Sequence, residues 1–178
     1  MQHGFYFSAS RCIKCHACEI ACKAWNEVEE TPRWRQVVKV ETGAYPDVKQ
    51  MNVSMACMHC GEPPCRDACP VRAITKRAED GIVIVDPDVC IGCGFCSWAC
   101  PFGAPQFGSD GKMQKCNFCQ TPGKERPLDL PRACEEVCPT AAILSGSMAE
   151  LSQKGRIRAA ERLGGAAAVA SPALMMEG

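Results

Sequence analysis

Cys90-Ile91-Gly92-Cys93-Gly94-Phe95-Cys96-Ser97-Trp98-Ala99-Cys100-Pro101 is a C-x-x-C-x-x-C-x-x-x-C-P run with glycines between its thiols. Three cysteines in so tight a loop can take three corners of one 4Fe-4S cube. The fourth leaves on a helical turn and serves a second cube. Gly92 and Gly94 let the backbone close around an inorganic core, and Pro101 stops the chain from continuing as helix there. A structural zinc site instead uses two separated C-x-x-C knuckles.

Working outward, the same pattern recurs. Cys12-x-x-Cys15-x-x-Cys18-x-x-x-Cys22 is a second full run. Each of the two is preceded by a short strand signal, Phe5-Tyr6-Phe7-Ser8 and Val83-Ile84-Val85-Asp86, and each opens Cys-Ile-x-Cys, an internal repeat. A third group is Cys57-x-x-Cys60-x-x-x-x-Cys65-x-x-x-Cys69-Pro70, widened by Pro63-Pro64. The last is Cys116-x-x-Cys119, a loop rich in proline and charge, then Cys134-x-x-x-Cys138-Pro139. Its spacing is weak alone, but Cys138-Pro139-Thr140-Ala141-Ala142-Ile143 repeats Cys69-Pro70-Val71-Arg72-Ala73-Ile74.

The chain has 178 residues with 16 cysteines, 15 glycines and 13 prolines, which leaves little material for an ordinary core. That cysteine density means either a disulfide scaffold or metal centres. Met1 to Phe7 carries neither a basic n-region with an apolar h-region nor a twin-arginine pair, so reduced, metal-bound thiolates and a cytoplasmic, at most peripheral, location are expected. Export would need a signal-bearing partner. No apolar run approaches the roughly 20 residues of a membrane span. The 20 basic and 20 acidic residues cancel. An oxidised cube on four thiolates carries about −2, however, so four cubes bring roughly −8. Basic residues are scattered, which argues against nucleic acid. Arg11, Lys14, Lys23, Arg66, Arg72 and Lys115 lie beside cysteines, either raising cluster potentials or forming a solvated surface.

Sixteen thiols at four per cube give four clusters with none left over. In a two-cluster ferredoxin each group lends its last cysteine to the other's cube. Groups two and three, joined by a hairpin signal across Ala73-Ile74-Thr75, Glu79-Asp80-Gly81 and Ile82 to Val85, form an inner pair. One of its cubes takes Cys57, Cys60, Cys65 and Cys100, and the other Cys90, Cys93, Cys96 and Cys69. Groups one and four then pair across the chain, through Cys12, Cys15, Cys18 and Cys138, and through Cys116, Cys119, Cys134 and Cys22. His16 and His59 lie within these groups. With four thiolates already available to each cube, a supporting or surface role is expected for both.

The expected fold is α+β: two interleaved ferredoxin-like modules, a short β-rich insertion and a C-terminal tail. Residues 1–26 with 104–147 make the outer module and 53–103 the inner one. Residues 27–52 are the insertion, with Trp34 to Val40 as strand and Gly43 to Asp47 as turn, and 148–178 the tail. Met148 to Leu163 reads either as disordered or as an amphipathic helix strapped onto a partner, with Leu151, Ile157 and Leu163 only loosely periodic, and Ala166 onward as a tail. Trp25, Trp34 and Trp98 either line a route or an interface or, as expected first, pack against clusters or neighbouring strands.

The order of the four groups, the wide second group, Asp88-Val89-Cys90-Ile91-Gly92-Cys93 and Cys100-Pro101-Phe102-Gly103-Ala104-Pro105-Gln106 before Lys115-Cys116 resemble the four-cluster iron-sulfur subunits of molybdopterin oxidoreductases, dimethyl sulfoxide reductase type. The resemblance covers residues 1 to about 147. It implies a wire between a molybdenum- or tungsten-pterin catalytic subunit and a quinone-linked membrane anchor or soluble redox partner. The Cys12 cube would lie nearest the catalytic subunit and the Cys90 cube at the far end. Since Cys93 is present where some relatives substitute, a full cube is expected there. The chain itself shows no catalytic constellation, phosphate loop or open coordination site. Two other readings stand beside this one: a free polyferredoxin or subunit of an unrelated complex, which would purify alone, and a zinc module, which would be colourless.

Overall fold

The computed structural model describes residues 1–166, as short helices and two-stranded ladders threaded between cysteine loops. In chain order these are β1 (His3–Phe7), α1 (Ala17–Asn26), β2 (Arg35–Thr42), β3 (Lys49–Ala56), α2 (Pro64–Asp67), β4 (Ile74–Lys76), β5 (Val83–Val85), α3 (Phe95–Ala99), β6 (Gln106–Phe107), β7 (Met113–Gln114), β8 (Gln120–Thr121), β9 (Lys124–Glu125), α4 (Ala133–Glu136), β10 (Ile143–Ser147) and α5 (Met148–Ala166). The strands pair antiparallel as β1–β10, β2–β3, β4–β5, β6–β7 and β8–β9. Ladders this small do not stand alone in water. What they share is attachment to thiol-bearing loops.

Two ladders frame the molecule. In β1–β10, His3 faces Ser147 and Phe7 faces Ile143, closing the N-terminal group onto the last one. In β4–β5, Ile74 faces Val85, the hairpin expected between groups two and three. The helices follow the same pairing: α1 lies against α4, and α2 against α3.

The insertion is a long hairpin, Arg35 facing Ala56 and Thr42 facing Lys49. Alternate residues of a strand share a face. Only Arg35 and Val37 of β2, with Ser54 and Ala56 of β3, are buried, so the base is embedded and the tip projects. β3 runs through Ala56, directly into the Cys57 loop. Buried Glu19 of α1 anchors the base. Its Oε1 accepts the Val37 N–H and faces His16 Nδ1 at 2.9 Å, while Oε2 accepts Arg33 Nη1 at 3.0 Å.

The core is three small apolar clusters in which thiols take the place of hydrocarbon. Phe5 packs against two of them and stacks 4.8 Å from Phe118, which is fully buried. The loop between Cys119 and Cys134 wraps Arg132, whose Nη1 donates to the carbonyls of Phe118 at 3.0 Å and Arg126 at 2.9 Å.

The segment from Met148 is helical, as α5, opened by a capping box: Glu150 N–H donates to Ser147 Oγ at 3.3 Å, and Ser147 N–H to Glu150 Oε2 at 2.9 Å. Only Leu151 of its expected apolar face is buried; Ile157 and Leu163 are exposed. The helix is instead held by polar contacts, Arg158 donating to the Ala141 carbonyl and lying over Tyr6, and Arg11 pairing with Glu161. The stretch after Ala166 lies outside the described residues.

Candidate metal centres

All four C-x-x-C loops share one backbone device. The residue before the second cysteine is left-handed in each: Lys14 (φ 59°), His59 (φ 46°), Gly92 (φ 71°) and Phe118 (φ 61°). Left-handed residues in such loops turn successive N–H groups to one side, the concavity that binds anionic phosphates and iron-sulfur centres. A non-glycine residue there costs of order 1–3 kcal/mol, so three of the four loops store strain, as functional loops do.

After each loop a helix carries the third thiol: Cys18 in α1, Cys65 in α2, Cys96 in α3 and Cys134 in α4. Three pockets then bring together the expected quartets. Cys12, Cys15, Cys18 and Cys138 line one. Cys57, Cys60, Cys65 and Cys100 line another. Cys90, Cys93, Cys96 and Cys69 line the third. Each pocket joins three thiols of one loop to one from a distant segment. The remaining thiols bear on one another electrostatically: beyond burial, Cys134 and Cys119 help raise the Cys22 thiol, and Cys22, Cys57 and Cys134 that of Cys116.

The quartets adjoin in sequence through the core. Cys18 and Cys12 share an apolar cluster with Cys134, Cys116 shares one with Cys57 and Cys100, and Cys65 shares one with Cys96, Cys69 and Cys90.

Burial pushes the thiols of Cys22 up to about 12 and Cys96 to about 11, and that of Cys116 well above its ordinary value. Bare thiolates are disfavoured in these apolar nests, so a cationic core is what would make them stable ligands. Cys138 differs. Burial raises its thiol too, but N–H groups of Ile143, Ala142 and Thr140 and the Thr140 hydroxyl outweigh it, and the net direction is down. Ala142 N–H lies 3.2 Å from Cys138 Sγ, and the repeat copy matches it, with Ala73 N–H 3.3 Å from Cys69 Sγ. Both turns pass through a left-handed residue, Ala141 and Arg72. Met113 N–H reaches Cys90 Sγ at 3.4 Å.

Among the described residues no three His, Cys, Asp or Glu side chains converge closely enough for a single ion. The gathering of four thiols in each of three pockets matches the four thiolates that hold one 4Fe-4S core. His16 is engaged with Glu19. His59 is buried, with Nδ1 accepting the Val83 N–H at 3.0 Å and the ring edge-on to Phe118. Burial first, then Lys115, Lys76 and Arg35, hold it well below its ordinary value, so it is neutral.

Of the basic residues beside cysteines, Arg11, Lys23 and Arg66 are engaged at the surface, by Glu161, the Glu29 and Glu30 carbonyls, and Asp67. Lys115 is 2 % exposed and lines the Cys57 pocket, donating to the carbonyls of Val83 and Cys116. The sequence reading did not single out Arg35, although alternation from Val37 places it on the buried face. It also missed Glu19. One expectation on the tryptophans is corrected. Trp25 lies under Arg126 and Trp34 donates to Gln114, but Trp98 is 90 % exposed, because α3 is one turn long and turns its other side to the cluster loop.

Known proteins give the same reading. Residues 48–148 match the family described as a 4Fe-4S dicluster domain, and residues 9–25 a 4Fe-4S binding domain. The chain is 39% identical over 186 residues to the formate dehydrogenase iron-sulfur subunit of Wolinella succinogenes, covering 93% of this chain and 91% of that one. It is 39% identical over 162 residues to a chain of the anaerobic dimethyl sulfoxide reductase of Escherichia coli, covering 86% and 77%. To a subunit of the sulfite dehydrogenase of Allochromatium vinosum it is 36% identical over 172 residues, covering 86% and 72%. With its repeated thiol loops and these relatives, the chain belongs to the family of 4Fe-4S dicluster iron-sulfur subunits of oxidoreductases.

Proposed function

We propose that the chain holds four 4Fe-4S clusters in two interleaved ferredoxin-like modules, residues 1–26 with 104–147 and residues 53–103. It relays electrons through them between a molybdenum- or tungsten-pterin catalytic subunit and a second redox partner. The observation that carries this reading is the lining of three separate pockets by three thiols of one loop and a fourth lent from another group. Cys22 extends the same scheme to Cys116, Cys119 and Cys134.

A bound 4Fe-4S cluster supplies one-electron storage, at a potential set between about −700 and +450 mV by charge, hydrogen bonds and exposure. The chain's residues set those conditions. The N–H groups of Ala73, Ala142 and Met113 solvate the Cys69, Cys138 and Cys90 sulfurs. The resemblance makes the Cys12 and Cys90 quartets the two ends of the path. Exposed Ile13 and Ile20 flank the Cys12 end, and exposed Ile91, Phe95 and Trp98 flank the Cys90 end, a pair of apolar surfaces suited to two different partners. The first would face the catalytic subunit and the second a membrane anchor or soluble carrier. No helix among the described residues is long and apolar enough to cross a membrane, which suits a peripheral subunit in the cytoplasm or one exported with its partner.

Elemental analysis of the complex isolated without oxygen tests this. About sixteen irons per chain, four from each cube, with molybdenum or tungsten in a co-purifying large subunit, are expected. Zinc with little iron would sink the cluster reading. Iron with neither heavy metal, on a chain that purifies alone, would replace the wire with a free polyferredoxin.

A further inference from the structure

The insertion hairpin buries a cation that pairs with no carboxylate among the described residues. Arg35 is 4 % exposed. Its Nη1 donates to Ser54 Oγ at 3.1 Å, and its Cζ lies 4.5 Å above the centroid of the Phe5 ring. Nε and Nη2 are buried and have no partner. Among the described residues no carboxylate pairs with it, whereas its neighbour Arg33 is taken by Glu19. A buried guanidinium without an opposite charge beside it is costly. Side chains this expensive persist when an anion faces them. The charges that favour its cationic form are the thiolates of Cys134, Cys116 and Cys22, then Cys18. Three of these belong to one quartet and the fourth to its neighbour.

We propose that Arg35 tunes the relay as its internal counter-charge, its two unpartnered donors directed at the cluster held by Cys22, Cys116, Cys119 and Cys134, so that this cluster is the most easily reduced for its degree of burial. The inference rests on the ligand sets proposed above. A guanidinium stays protonated throughout. Adding one electron takes a cube on four thiolates from about −2 to about −3 and moves no proton onto Arg35. A fixed positive charge therefore favours the reduced form. The Cys12 quartet, reached through Cys18, feels the same charge less. The Cys69 quartet serves as internal control, since its apolar cluster does not include Phe5, on which the guanidinium rests.

Redox titration of the intact complex, followed by electron paramagnetic resonance, tests this, with Cys22→Ser used to assign the signal. In Arg35→Met, the reduced-to-oxidised ratio of the Cys22 cluster at its wild-type midpoint should fall at least tenfold, a shift of about 59 mV for a one-electron couple. The Cys12 cluster should move the same way by less, and the Cys69 cluster should not move. Arg35→Lys keeps the charge and should recover most of the ratio. An unchanged ratio in Arg35→Met, an equal shift of all four clusters, or a lysine variant as low as the methionine one would overturn the proposal. Should Arg35→Met not assemble, wild-type complex carrying 15N-arginine decides. Pulsed resonance should show a 15N coupling to the reduced Cys22 cluster, and its absence overturns the proposal. If wild type lacks a cluster that Cys22→Ser removes, the ligand sets themselves fall. If all four are present and Arg35 variants are silent, this inference alone fails.

Discussion

Arg35 donates from Nη1 to Ser54 Oγ at 3.1 Å, and the same hydroxyl lies 3.7 Å from Cys18 Sγ. One oxygen thus links the buried cation to a thiol of the first quartet. Ser54→Ala would leave Arg35 without its remaining hydrogen bond, at about 1–3 kcal/mol for a newly unsatisfied buried group. We expect faster anaerobic bleaching of the visible cluster absorbance on warming, with Ser54→Thr close to wild type. A Ser54→Ala protein as durable as wild type would show that the hydroxyl carries no structural weight.

Cys22→Ser tests the crossing of segments. Cys22 sits on α1 with Cys18, yet beyond burial it is Cys134 and Cys119 that help raise its thiol. The paramagnetic signal of the Cys116 quartet should be lost or altered, while that of the Cys12 quartet persists. Loss of the Cys12 signal alone would mean that each run serves itself.

The four left-handed loop positions predict opposite effects of the same kind of change. A Cβ on Gly92 would lie 2.6 Å from the Gly111 carbonyl oxygen, at a φ of +71°. Gly92→Ala should cost about 1–3 kcal/mol and lower the iron content of the Cys90 quartet. Lys14 holds an equivalent conformation with a side chain already present. Lys14→Gly should be neutral or stabilising by up to about 1 kcal/mol, read as slower cluster loss. Equal effects at the two sites would remove the argument from backbone strain.

Attachment of α5 should depend on pH. The Ser147 N–H, with its hydroxyl, holds the Glu150 carboxyl below its usual value. A depressed carboxyl contributes stability above its ordinary pKa and loses it as pH falls through the lowered one. Protection of the Ser147 amide, taken relative to the intrinsic exchange rate at each pH, should therefore fall in wild type as the pH drops through and below the ordinary carboxylate range. In Glu150→Gln the protection should be low already and unchanged over that range. A pH-independent wild type would contradict the capping box.

Much of this was legible in the chain. The strands at Phe5 and Val83, the hairpin from Ile74 to Val85 and the helical turn that carries the fourth thiol follow from local pattern. Gly92 announced its left-handed turn. Lys14, His59 and Phe118 did not, since their own preferences oppose the conformation and only the loop around a centre imposes it. Trp98 was expected to pack against a cluster or strand, with an interface as the alternative. On a helix of five residues, the facing of the neighbouring thiols decides instead.

What the sequence by itself determined is the chemistry: sixteen thiols in four groups at spacings that only compact loops can satisfy, because ligand geometry is a local property of a few consecutive residues. The tertiary structure decided what stands around those thiols. Glu19 on one helix orders the base of a hairpin distant in sequence, and that hairpin carries Arg35 in among the thiols of two quartets. Long-range electrostatics depends on which segments meet and on what water is excluded, and neither is written in the spacing of any one motif.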